Sequence, residues 1–345
     1  MDKPLARTRV PDVAREAGVS TATVDRVLHG RAGVRAVTVE RVVRAAAALG
    51  YILDGGPYIA QARRPQRLVF LLPEGSNRFL SMLGQLVAET RARFEAFGFT
   101  ARVEFIRSFN PALLARALRD AGRESDGVAL MALEHPAVRE AVDALAEAGI
   151  PAVTLISDIA HTRRAAYVGL DNRSTGRTAG SLMARFIGPR PAKVAMIAGS
   201  LSYRAHEERE MGFLHLFTEL FPGIEVLGLR EGHDDEAENY RQAKTLLSRH
   251  PDLAGLYNIG GGAAGIARAL REARRDQEVV FIGHGLTPDT RALLIDGTMD
   301  VVITQNPRAL LMDCAAIFDN IRAGSAPDLN IGRPVGEIIL RENLP

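Results

Sequence analysis

The sequence predicts an α/β protein, with a small all-α headpiece followed by a core of two similar parallel-sheet lobes. Three observations point there. Near the start, apolar residues recur at helical spacing on both sides of one glycine. From Arg67 onward, short apolar runs alternate with amphipathic helices. Those runs form two series of about five, which fits two lobes better than one large sheet.

The headpiece comes first. Val13, Ala14 and Ala17 make one apolar helical face. Gly18 stops that helix, because the turn there wants a positive φ. Ser20 offers a side-chain oxygen to the free amides of a second helix. Val24, Val27 and Leu28 bury that helix against the first. Two short helices joined by a tight glycine turn are a helix-turn-helix. Thr21, Ala22 and Arg26 stay on its open side: small or hydrogen-bonding groups, and one guanidinium able to reach a guanine edge. A third helix is predicted from Thr38 to Leu49, with Val39, Val42, Val43, Ala46 and Ala47 on its core side and Gly50 ending it. Gly55-Gly56-Pro57 and Arg63-Arg64-Pro65 then mark a linker.

In the core, the first strands are predicted over Leu68–Leu72, Ala101–Ile106, Gly127–Leu130, Ala152–Ile156 and Tyr167–Leu170. The second series covers Val194–Ile197, Glu225–Leu229, Gly255–Asn258, Val279–Ile282 and Val301–Thr304, with a final strand over Glu337–Leu340. Helices fall between them, including Ser81–Phe97, Pro136–Ala148, Ser174–Ile187, Ala205–Leu220 and Asp235–His250. Such alternation implies parallel sheets covered on both faces.

Composition sets bounds. The chain has 345 residues, 47% hydrophobic and 24% charged, as in an ordinary globular protein of two or three domains. Cys314 is the one cysteine, which excludes an intrachain disulfide and a multi-cysteine zinc site. A polar N-terminus broken by Pro4 and Pro11 lacks a secretory apolar region, and no apolar run approaches a membrane span, so a cytoplasmic protein is expected. Residues 1–65 hold 11 Lys/Arg against 6 Asp/Glu, a balance of +5; the total of +2 leaves −3 for the rest. A basic headpiece on a mildly acidic body suggests one end that meets phosphate.

Asp12-Val13-Ala14, Ala17-Gly18-Val19-Ser20 and Thr23-Val24-Asp25-Arg26-Val27 resemble the headpiece of the lactose-repressor (LacI/GalR) family of bacterial transcription regulators. Leu49-Gly50-Tyr51 resembles the segment that closes it. The two strand series resemble that family's periplasmic-binding-protein-like core of two Rossmann-like lobes, so the resemblance covers nearly the whole chain. It implies a headpiece over 1–52, a hinge linker over 53–66 and an effector-binding core over 67–345. Lobe 1 would take about 67–168 plus 303–332, and lobe 2 about 169–302 plus 333–345. The expected function is a ligand-responsive repressor of a catabolic or transport operon. A homodimer would meet a near-palindromic operator, as two-fold symmetry requires. The expected DNA contacts are Ser20, Thr21, Ala22, Thr23, Arg26 and His29, with Tyr51, Ile59 and Ala60 beyond them. Two departures matter here. Asp25 stands where the family often has serine. Ala60 falls where family members insert a hinge leucine into the minor groove, so weaker kinking is expected, with Ile59 as a partial wedge.

Ligands of open α/β sheets bind beyond the carboxyl ends of the strands. After the first strand, Ser76 and Asn77 can hydrogen-bond a hydroxylated ligand and Phe79 can stack on it. Asp158 stands where family members often place a ligand-binding aspartate. Arg209-Glu210-Met211-Gly212-Phe213 resembles the segment carrying the family's effector-binding arginine, whose fork of donors suits sugar hydroxyls or a carboxylate. Asn258 and Gln305 match further family contacts, and His233 and His284 lie in comparable loops. Where the family usually has Gly-x-Asp, this chain has Gly283-His284-Gly285. Either Asp289 or His284 substitutes, or the ligand is not a plain hexose. The effector class expected is a sugar, polyol or sugar acid.

Two rival classes share parts of this pattern. A solute-binding protein feeding a transporter shares the core but not the basic headpiece. An NAD enzyme rests on Gly260-x-Gly262-x-x-Gly265 alone, and Gly285 falls where the ribose-binding acid belongs. No Gly-x-Ser-x-Gly elbow or HExxH helix occurs, so no catalytic residue, cofactor or metal is expected.

Overall fold

The computed structural model describes residues 9–28, 34–49, 65–107 and 109–345. Helix α1 (Val10–Ala17) carries Pro11 in its first turn, and Asp12 accepts from the Arg9 amide at 2.9 Å. Gly18 ends it in the left-handed region, at φ 60°. Ser20 then accepts from the Thr23 amide at 3.1 Å and opens α2 (Thr21–Leu28). Arg41 of α3 (Ala36–Ala48) holds the turn by donating to the Ala17 carbonyl at 2.6 Å. Val13, Ala17, Val24, Val27 and Val42 form the centre of this small core. Ala45 joins it from α3, while Val39 and Val43 pack at its margin.

The first sheet of the core holds β1 (Gln66–Glu74), β2 (Phe99–Arg107), β3 (Gly127–Leu130), β4 (Ala152–Leu155) and β5 (Ala166–Val168) in the order β2-β1-β3-β4-β5. Its parallel register sets Leu68 against Gly127 and Val128 against Ala152. Between the strands run α4 (Arg78–Glu89), α5 (Arg91–Ala96), α6 (Pro111–Glu124) and α7 (Pro136–Glu147). The second lobe starts with α8 (Asn172–Ile187). It continues through β6 (Ala192–Ala198), α9 (Arg204–Leu220), β7 (Ile224–Glu231), α10 (Glu236–Arg249), β8 (Leu253–Asn258), α11 (Ala263–Glu272), β9 (Val280–His284), α12 (Pro288–Ile295) and β10 (Val301–Thr304). After α13 (Pro307–Arg322), which packs on α4, β11 (Glu337–Ile339) completes the sheet β11-β10-β9-β8-β6-β7.

The first five strands of each sheet share one order, so each sheet reverses direction at the same place: between β1 and β3, and between β6 and β8. Such switch points open a crevice at the carboxyl ends of the strands. Central strands are buried on both faces, and successive side chains alternate between two cores. On β6, Ala195 and Ile197 join the core under α10 and α11, while Val194, Met196 and Ala198 join the one under α8 and α9.

The α/β class and every expected strand appear, with two corrections. β11 runs antiparallel to β10, so the second sheet is mixed. The helix expected over Ser81–Phe97 divides at Thr90, whose hydroxyl donates to the Leu86 carbonyl at 2.7 Å and so competes with the helical amides.

One packing feature places the site. A Cβ on Gly176 of α8 would lie 2.0 Å from the Arg209 carbonyl oxygen, and one on Gly212 of α9 would lie 2.0 Å from that of Arg173. The two helices therefore cross backbone to backbone, which fixes the position of the turn carrying Arg209.

Candidate functional site

Beyond the carboxyl ends of both sheets lies a cavity of about 60 Å³. A single water needs about 10–15 Å³, so several waters or the edge of a small ring would fit. The first lobe lines it with Asn77, Phe79, Leu80, Met131, Ile156 and Leu170. The second lobe adds His206, Arg209, Ile259, Gly260 and the residues from His284, Gly285 and Ile303 to Gln305.

Arg209 is 6% exposed. Its Nε donates to Asn172 Oδ1 at 2.8 Å and its Nη1 to the Ile259 carbonyl at 2.9 Å. Asn172 in turn donates to Tyr167 Oη at 3.1 Å, and Tyr167 donates to the Ile156 carbonyl at 2.9 Å. The arginine is thus braced from the strand ends of the first lobe. Burial pulls its pKa down, while Tyr257, Tyr167, Asp234 and Glu208 act at a distance in the other direction. Among the described residues no carboxylate forms an ion pair with it; Glu208 is bridged to Arg204 at 2.7 Å.

Two neutral histidines flank it. His206 lies one helical turn before Arg209 on the same face, and its Nδ1 sits 2.9 Å from the Ser200 carbonyl. Burial lowers its pKa to about 4, with Arg209 adding to the effect and Asp234 opposing it. His284 Nε2 lies 2.6 Å from Tyr257 Oη. Burial, then the Arg209 charge, hold its pKa well below the usual value.

Of the residues expected at an effector site, the structure brings Asn77, Phe79, Arg209, His284 and Gln305 to the cavity. It puts the other four elsewhere. Ser76 donates across the cleft to the Asp234 carbonyl at 2.7 Å, and Asn77 donates to the Asp234 carboxylate at 3.0 Å while also capping α4. Asp158 is gripped by both arms of Arg164 and accepts from Thr154 Oγ1 at 2.6 Å, within the first lobe. His233, at φ 52°, is exposed and lies edge-on to Phe109. Asn258 is buried outside the lining and donates to the Gly261 carbonyl at 3.0 Å. Asp289 pairs with Arg78 at 3.2 Å, so of the two substitutes for the missing Gly-x-Asp carboxylate only His284 reaches the cavity. His206 was not anticipated. The signal that could have found it is its i, i+3 spacing with Arg209.

The glycine motif has a packing explanation. A Cβ on Gly260 would lie 2.4 Å from Asp234 Oδ1, and one on Gly265 would lie 1.9 Å from the Glu236 carbonyl oxygen. Gly262 opens α11 in the left-handed region. These glycines let α11 and the Asp234 turn approach closely, which accounts for them without a phosphate.

In the headpiece, Ser20, Thr21, Ala22 and Arg26 are exposed. Thr23 is half-buried, its hydroxyl 2.8 Å from Ser20 Oγ. His29, Tyr51, Ile59 and Ala60 lie outside the described residues. No helix among the described residues is long and apolar enough to cross a membrane.

Known proteins bear on both parts. The Ribose import binding protein RbsB of Escherichia coli (strain K12) is 28% identical over 180 residues, 50% of this chain and 58% of that protein. The D-allose-binding periplasmic protein of the same organism is 25% identical over 143 residues, 41% of this chain and 46% of that protein. The chain thus spans about half the length of these curated relatives. The solved structure of GanP, a glucose-galactose binding protein from Geobacillus stearothermophilus, superposes with a TM-score of 0.74 at 25% identity, over 82% of this chain and 100% of that one. Residues 68–325 match the Periplasmic binding protein domain, and residues 10–54 match the Bacterial regulatory proteins, lacI family. With a helix-turn-helix at its head and a two-lobed binding core behind it, this chain belongs to the lacI family of bacterial regulatory proteins.

Proposed function

We propose that the protein is a cytoplasmic repressor of a catabolic or transport operon, and that a small hydroxylated molecule held in the cavity sets its operator affinity. The carrying observation is Arg209: a buried guanidinium braced by Asn172 and Ile259, facing a cavity, in a chain headed by a helix-turn-helix. The names of the relatives, which mention ribose, allose, glucose and galactose, support a sugar, polyol or sugar acid. Two copies related by a two-fold axis present α2 to adjacent major grooves of a near-palindromic operator. On that reading Thr21, Ala22 and Arg26 meet base edges.

The test is operator selection followed by titration. Arg26→Ala is expected to weaken specific binding by roughly 1–3 kcal/mol and to relax the preference at one base pair. Unchanged affinity for the selected site would remove Arg26 from the recognition surface. A second reading, a solute-binding protein, is favoured by the import binding proteins among the relatives. Failure to select any sequence above background would support it instead.

A further inference from the structure

Arg209 brings a full positive charge to a wall that carries no negative one. Among the described residues, none that lines the cavity is Asp or Glu. The acids nearby are engaged elsewhere. Asp234 accepts from Asn77 at 3.0 Å and from the Gly261 amide at 2.6 Å, Glu208 is bridged to Arg204, and Asp158 is held by Arg164. His206 and His284 are both neutral near pH 7, held so mainly by burial. Arg209 therefore sits buried without a counter-ion, which is costly unless something pairs with it. Two of its nitrogens are taken by Asn172 and Ile259, which leaves Nη2 for a ligand.

A second observation specifies the ligand's other end. Gln305 lines the cavity, is buried, and its Oε1 has no hydrogen-bond partner. An unpaired buried acceptor calls for a donor, and a hydroxyl supplies one. A neutral sugar would find hydroxyl acceptors here, Gln305 Oε1 among them, but would leave the guanidinium charge unmatched. Ile156 and Gly285, which have no polar side-chain atom, also line the cavity and offer a hydroxyl no side-chain acceptor.

We infer that the effector is a polyhydroxylated carboxylate, an aldonic or uronic acid, and not its parent neutral sugar. Its carboxylate accepts from Arg209 Nη2, and one of its hydroxyls donates to Gln305 Oε1. The inference rests on the cavity being the effector site. A phosphosugar fits less well, because a phosphate wants more donors than the one open edge of Arg209 supplies.

The test is isothermal titration of the full chain with pentoses, hexoses, their aldonates and uronates, and their phosphates, preceded by a thermal-shift screen. At least one acid is expected to bind roughly tenfold or more tightly than its parent sugar, since charge-assisted hydrogen bonds are about twice as strong as neutral ones. Arg209→Gln is expected to erase that difference. Gln305→Glu, which keeps the side-chain shape, is expected to weaken the acid through repulsion, and it carries the test if Arg209→Gln does not fold. Neutral sugars binding as well as their acids, or phosphates binding best, would overturn the carboxylate assignment and leave the sensing role standing. No binding from any class would overturn both.

Discussion

The two lobes meet at one cavity, and they use their polar side chains in opposite ways. On the first lobe, Asp158 is bonded to its own neighbours Arg164 and Thr154, while Ser76 and Asn77 hold Asp234 across the cleft. What this lobe turns toward the cavity is mostly apolar: Phe79, Leu80, Met131, Ile156 and Leu170. On the second lobe, Arg209 and Gln305 line the cavity; among the described residues two guanidinium nitrogens are bonded, to Asn172 and Ile259, and Gln305 Oε1 has no hydrogen-bond partner. A polar atom after a strand is available to a ligand only when no protein group has already bonded it. A buried group short of a partner is therefore a better guide than sequence position.

The largest expected effect would break this contrast outright. Arg209→Ala should lower effector affinity by about 2–5 kcal/mol, as truncating one side of a buried charge pair does. Operator titrations with and without effector should then show no response, and effector-free operator affinity close to wild type. A mutant responding at the wild-type midpoint would show that the charged wall is not the sensor.

Acidification tests the neutral histidines of the same wall. The folded pKa of His206 is depressed to about 4 from 6.5, so the unfolded chain binds the proton more readily between those values. Stability is then fully present above pH 6.5 and falls as pH drops toward 4, by about 3 kcal/mol at most from this group. His284 acts in the same direction. Urea midpoints measured from pH 7 to 4 should fall, and His206→Gln should shallow the slope; an unchanged slope would mean that His206 does not titrate in this window.

Gly212→Ala sharpens the contrast by displacing the charged wall without altering its chemistry. The added Cβ meets the Arg173 carbonyl, and overpacking of this kind destabilises by about 1–3 kcal/mol. The melting temperature and effector affinity should fall together. A lower melting temperature at unchanged affinity would show that the α8–α9 approach does not position Arg209.

The smallest effect is expected on the other wall. Asp158→Asn should reduce stability by about 1–3 kcal/mol through its lost charged hydrogen bonds, yet leave effector affinity within about 0.5 kcal/mol. A tenfold loss of affinity would place Asp158 in the site and dissolve the distinction between the lobes.

These outcomes bear on what can be read from sequence. Strand positions were legible because β3, β4, β8 and β10 are buried along their whole length and so appear as unbroken apolar runs. The helix-turn-helix was legible because its spacing and its glycine are local. Arg209 was legible from the Gly212-Phe213 pair that follows it. The fate of Asp158 was not, since nothing in the spacing says that Arg164 turns back onto it. Nor was the break at Thr90, where one hydroxyl decides between continuing and ending a helix. His206 was overlooked because a lone histidine on a helix is usually a core or surface residue. Its role depends on burial beside a charge, and burial is tertiary.

On the proposed function, the bonds that cross the cleft have a consequence for signalling. Ser76 and Asn77 on Asp234, Arg78 on Asp289, Ser157 on the Ala205 amide and the Glu134 amide on the Ser202 carbonyl all join the lobes without help from a ligand. They fix the resting bias of the switch, and an effector adds only the difference between its affinities for the closed and open forms. A full swing from 99:1 to 1:99 takes about 5.5 kcal/mol of such difference. A cleft that already leans shut reaches its end state at low effector occupancy and has less distance left to travel. On that reading the same few bonds set sensitivity against dynamic range, and Asp234, which receives two of them, is where the proposed setting would be tuned.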